Sequence, residues 1–174
     1  MVRIIFISLI ICIVVGGILN YSMKANQKSE ELGRFATRDE IVGYWELVQW
    51  TDDAKSRNRK NPWPLPYQYF AFYKDGGMTY KMSNESSPTT QQDLDKVRKS
   101  SRANISYVLR ADGMMLVTRT DMPNYKELWG VNLITKAFSG RGVDFLPGDL
   151  VMSLDDGYGQ VVYRRHLRRI PTNK

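Results

Sequence analysis

Apolar and polar positions divide the chain into three stretches. Residues 1–23 hold a long apolar run over positions 4–19. Residues 24–38 are polar and read as a linker with room for one helical turn. From Ile41 onward the period becomes two, the spacing of strands that bury one face. "GYWELVQW" puts Trp45, Leu47 and Gln49 on one face and Tyr44, Val48 and Trp50 on the other. "YQYFAFYKDGGMTYKM" reads as a hairpin turning at residues 74–77, and "ANISYVLRADGMMLVTRT" repeats the design around 111–113. "ELWGVNLITKAF" is another alternating run. "GRGVDFLPGDLVMSLDDGYGQVVYRRH" adds strands separated at 147–149 and at 155–159.

The pattern predicts eight or nine short strands joined by Gly and Asp turns, in one domain over residues 39–169. An all-β, meandering antiparallel barrel or sandwich follows. Polar residues 83–102 interrupt the strands and predict a short helix after Pro88. Between the first two strands, "TDDAKSRNRKNPWPLPY" carries three prolines in five residues, which stiffen it into an extended segment around Trp63. Such a loop either caps one end of a barrel or forms a lid or ridge for a partner protein, with residues 61–66 as the contact.

As a helix, the run at 4–19 is about 24 Å long, slightly short for a bilayer span. No small-x-small cleavage site follows it, and Ile11 before Cys12 is too large for a lipoprotein box. An uncleaved signal anchor over residues 1–23 fits better than a cleaved signal peptide. Arg3 favours an inside N-terminus, although Lys24 and Lys28 weaken that bias. The folded domain is then expected on the extracytoplasmic side, the periplasm in a bacterium. Cys12 is the only cysteine, so the folded part has no disulfide, thiol nucleophile or cysteine metal site. The net charge of +7 is concentrated at 55–60, 96–102 and 164–169. It suits solvated loops, anionic headgroups or an acidic partner. No nucleic-acid-binding motif accompanies it.

Gly43-Tyr44-Trp45 at the head of the first strand resembles the Gly-x-Trp signature of lipocalins. In order along the chain, "GYWELVQW", "FYKDGGMTYKM", "ISYVLRADGMMLVTRTDMPN", "LWGVNL", "GDLVMSL" and "VVYRR" resemble the bacterial lipocalin-like domain family over residues 40–166. The likeness implies an up-and-down antiparallel β-barrel of about eight strands. It also implies closure of one end by Gly43, Trp45 and a last-strand arginine lying across the indole. Arg165 matches that place best and Arg164 second. The chain departs from the family where a histidine is common, since its strand there reads "MMLVTRT". The anchor, the "NPWPLP" loop and the basic loop are also additions.

Candidate chemistry is sparse. His166 is the one histidine, so a histidine triad or zinc site is not expected. No phosphate-cradling glycine loop is present. The Asp93/Asp95 and Asp52/Asp53 pairs lie in polar stretches and read as solvated. No cofactor, metal or catalytic residue is expected. What remains is the barrel interior, assigned to Leu47, Phe70, Phe72, Met78, Tyr80, Tyr107, Leu116, Trp129, Val131 and Tyr163. Such a lining suits a small hydrophobic or amphipathic ligand, with Met78, Met114 and Met152 letting the wall adapt. The same residues can instead fill the barrel solidly. Two readings stand: a membrane-tethered carrier of a small ligand, or a filled envelope protein docking a partner through its loops. A barrel-end enzyme is a third and weaker option.

Overall fold

The computed structural model describes residues 32–52, 65–86, 88–140, 142–155 and 161–171, with side chains omitted at 49–52. The expected anchor over 1–23, Cys12, and positions 61–64 of the proline loop lie outside the described residues. Among the described residues, no helix is long and apolar enough to cross a membrane.

Eight strands close into an antiparallel barrel. They are β2 (Gly43–Asp52), β3 (Tyr67–Phe72), β4 (Gly77–Ser83), β5 (Ile105–Leu109), β6 (Met114–Arg119), β7 (Lys126–Ile134), β10 (Leu150–Asp155) and β11 (Val161–Arg169). Each pairs with the next in this order, and β11 pairs back onto β2. Closure leaves these strands no free edge, which removes the template for edge-to-edge aggregation.

Among the described residues, three further strands lie outside the cylinder. The first, β1 (Gly33–Phe35), pairs with residues 132–134 of β7, beyond the part of β7 that β6 covers. This short strand and the helical turn α1 (Arg38–Ile41) begin within the stretch expected to be a linker. The other two, β8 (Phe138–Gly140) and β9 (Val143–Phe145), form a separate hairpin between β7 and β10. The run "ELWGVNLITKAF" is therefore two elements, because the chain leaves the barrel at Thr135 and turns into that hairpin.

The interior follows the period of two. Trp45, Phe70, Phe72, Trp129, Val131, Met115, Leu150, Met152 and Leu167 are all at most 2% exposed. Each large side chain so buried contributes about 1.5–3 kcal/mol relative to an exposed one. One irregularity matters for register. Leu47 pairs with Leu167, but Gln49 pairs with His166, so Val48 is an extra residue on β2. Such a bulge tightens the local twist and breaks strict alternation along β2.

The expected helix after Pro88 is α2 (Gln91–Ser100). Thr90 and Asp93 form a reciprocal capping box, with Asp93 N donating to Thr90 Oγ1 and Thr90 N donating to Asp93 Oδ2 at 3.0 Å. Its Leu94 is fully buried against Tyr69 and Ala71, on the outer faces of β3. Asp95 accepts from the hydroxyls of Tyr44 (3.0 Å) and Tyr73 (2.8 Å), and Arg98 stacks over the Tyr73 ring at 4.0 Å. The helix thus clamps one outer wall and leaves the interior to the strands.

Candidate functional site

The two ends of the barrel differ in chemistry. At the lower end Trp45 is fully buried and donates from Nε1 to Ile41 O at 2.9 Å, so α1 and Ala36 lie beneath it. The guanidinium of Arg169 covers the indole at 4.4 Å from its centroid and donates to Val42 O (2.9 Å) and Glu40 O (2.6 Å). Burial lowers the Arg169 pKa. Gly43 has a φ of +141°, and a Cβ there would overlap the Arg169 guanidinium. The glycine in Gly-x-Trp therefore leaves room for the arginine, in a backbone conformation other residues rarely adopt.

The expected closure by Arg165 is thus corrected in favour of Arg169. The β11 register sets Arg169, not Arg165, opposite Trp45. Arg165 lies deeper, 4% exposed, with its guanidinium 4.6 Å from the Trp129 ring and 5.1 Å from the Phe70 ring. Burial pulls its pKa down to about 10, with Glu127 partly opposing the shift. Arg164, the second expected candidate, lies on the outer wall among the lining of the groove described below.

Tyr107 also belongs to the lower end. Its hydroxyl donates to Tyr73 O at 2.8 Å and its ring packs edge-on against Phe72. Burial raises its pKa. Phe72, Met78 and Val131 complete this packed floor.

The upper end is polar. Arg119 donates to Tyr80 Oη at 3.1 Å and is held by both carboxylate oxygens of Asp121 at 3.0 and 2.8 Å. The Asp121 bond raises the Arg119 pKa. Glu127 accepts from the Tyr125 hydroxyl and from Trp129 Nε1 (2.9 Å). Burial, then the bond to Glu127, raises the Tyr125 pKa. These groups, with Arg165, stand above an apolar wall of Phe70, Met78, Met82, Ile105 and Val117. The cavity between them is about 20 Å³. That is about the space of one water.

Leu47 and Tyr80 pack against the core, and Phe70 and Trp129 lie within it. Tyr163 is 6% exposed and packs with Val162 and Leu154 in a small cluster apart from the main core. Leu116 is corrected: it faces outward. Its neighbours Met115 and Val117 take the interior positions, while Leu116 pairs with the exposed Val108 and Leu128. The residues that sequence reasoning missed are Arg119, Tyr125 and Glu127. Their signal was an inward-facing parity that turns from apolar to polar toward the strand ends, Met115–Val117–Arg119 and Trp129–Glu127–Tyr125.

A second concavity lies on the outer wall. β1 flanks it on one side and the β8–β9 hairpin on the other, and outward residues of β7, β10 and β11 form its floor. Its volume is about 930 Å³.

The lone histidine is structural. His166 is stacked on Phe145 at 4.2 Å and its Nε2 lies 2.6 Å from Asp149 Oδ2. Asp149 also accepts from Leu146 N (2.9 Å) and from Arg168 through both oxygens (3.1 and 2.8 Å). Burial alone would raise the Asp149 pKa, but these donors outweigh it and the net shift is downward. The cluster pins the turn at 146–149 and holds β9 against β11.

No known protein family, curated protein or solved structure matches the chain.

Proposed function

We propose that the chain is a membrane-tethered, lipocalin-like binding protein that holds a small amphipathic molecule non-covalently at the upper end of its barrel. The observation that carries this reading is the division of the interior. A packed apolar floor closed by Trp45 and Arg169 lies below two interior arginines, Arg119 and Arg165, and the phenol Tyr80. Arg165, 4% exposed over the Phe70 and Trp129 rings, lines the same small cavity as Tyr80, Arg119 and Glu127, so polar groups that can orient a ligand gather at one end of an apolar interior.

The wall also suggests which head group fits. Arg119 is matched by Asp121, and Arg165 has Glu127 near enough to raise its pKa. With its charges matched, the site favours a polar head without net charge, hydrogen-bonded by the Tyr80, Arg119 and Glu127 groups. The tail lies on Phe70, Met78, Met82 and Ile105. Met78 and Met82 are flexible enough to widen the present water-sized space. Apolar contact then stabilises the complex by ~25 cal/mol per Å² buried. The apolar run at 4–19 supports tethering on the extracytoplasmic side, and the basic loops support attraction to anionic headgroups.

Native mass spectrometry of the full chain released from its own membranes tests this. A bound amphiphile at one copy per chain, absent from Arg165→Met, is expected. A wild-type chain that repeatedly carries nothing and takes up no uncharged amphiphile would leave the filled-barrel reading, with loop residues 61–66 docking a partner protein.

A further inference from the structure

We infer that the outer groove between β1 and the β8–β9 hairpin is a second binding site, taking one acyl chain of a membrane lipid. The inference rests on the tethered reading above, but not on the upper-end site. The groove's volume of about 930 Å³ falls within the ~300–1,000 Å³ typical of ligand sites, while the interior offers about 20 Å³. Its walls are aromatic and aliphatic: Phe138 and Phe145, stacked with centroids 4.5 Å apart, Ile134 and Val151. Phe35, on the β1 side, is 56% exposed, a large apolar ring left facing water.

Position favours a lipid over other apolar occupants. The first described residue, Leu32, lines the groove, and residues 20–31 are all that separate it from the apolar run at 4–19. Twelve extended residues reach at most about 40 Å. The tether therefore joins the barrel at this groove, within that reach of the bilayer. Arg34, which Glu40 also holds, and Arg164 stand in the groove wall and add positive charge to its rim. The hairpin that flanks the groove is fixed from behind by the Phe145–His166 stack and the Asp149 cluster, so the site is built and not a gap between loose loops.

The test places the full-length protein in vesicles of phosphatidylcholine and phosphatidylglycerol that contain a phosphatidylcholine with a diazirine in one acyl chain. After irradiation, adducts are mapped by peptide mass spectrometry. Adducts are expected on residues 1–31 and also on peptides containing Phe138, Phe145 or Val151. Ser153→Trp fills the groove from an outward position, and Phe138→Ala removes one wall on a peripheral hairpin. Each should lower groove labelling about tenfold, equivalent to about 1.4 kcal/mol, while labelling of residues 1–31 persists. Adducts on 1–31 without groove adducts, or groove labelling undiminished in both variants, overturns the lipid site and leaves the tether standing. Absence of adducts from 1–31 overturns the tether and the inference with it. Neither variant touches the upper-end residues, so loss of amphiphile binding there would be read separately.

Discussion

Replacing Arg169 by methionine tests the closure directly. The guanidinium makes two kinds of contact: it lies 4.4 Å from the Trp45 centroid and donates to the Val42 and Glu40 carbonyls. A cation over an indole contributes about 0.5–2 kcal/mol. Hydrogen bonds from a charged donor contribute about 1.5–3 kcal/mol each when shielded. Those here are exposed and need discounting for solvent. Methionine keeps much of the apolar stem, so a net loss of about 2 kcal/mol is expected, from the contacts and the carbonyls left to water. For a domain of this size that lowers Tm by about 4–8 °C. Urea unfolding followed by tryptophan fluorescence measures it, with unchanged m-value showing that stability alone has moved. Arg165→Met is the informative partner. Its guanidinium lies over the Trp129 and Phe70 rings and not over Trp45, so its loss should leave the cover of Trp45 in place. A neutral Arg169→Met beside a strongly destabilised Arg165→Met would refute the assignment and restore Arg165 as the closing residue.

Facing and pH give two further tests. Leu116→Lys should change stability by less than about 0.5 kcal/mol, because the side chain points outward. Met115→Lys, one residue away and fully buried, should prevent folding at the same urea concentration; equal effects would contradict the facing. In acid, Glu40 has its pKa lowered to about 2, chiefly by its bonds from Arg34. Asp149 is also shifted down. A depressed folded-state pKa contributes stability that is present above the unfolded value, near 4.5 for Glu40, and is lost as pH falls toward 2. Tm should therefore drop over that interval and drop less in Asp149→Asn; a flat profile would count against both clusters.

Much of the barrel was legible because period and punctuation agreed. The hairpin turns carry Gly76 and Gly113 with positive φ, and the alternating runs between them became β3 to β7. Gly113 is further constrained, since a Cβ there would overlap the Phe35 ring of β1. Facing failed at Leu116 because "MMLV" has no polar residue to mark its outer side, so either parity reads equally well. The arginine was misplaced for a different reason. Four arginines crowd the last strand, and only the register across a bulged β2 decides which one meets Trp45. Strand β1 is three residues long and polar around its glycine, too short for any period to show. The upper-end cluster was missed because Arg119, Tyr125 and Glu127 gather at the open end of the β6–β7 hairpin, where Glu127 pairs with Val117 and only the register fixes which face turns inward. The outer groove was invisible because its floor consists of every second residue of three strands, and one flank is a hairpin whose first strand was read as the end of the β7 run.

The most direct test is an equilibrium titration of the purified full chain with a monoacylglycerol, an uncharged amphiphile, followed calorimetrically. In Ser153→Trp, whose outer groove is filled, saturable binding at one site per barrel is expected, and adding Arg119→Gln or Arg165→Met should weaken it. Absence of saturable binding, or binding indifferent to both arginines, would contradict it.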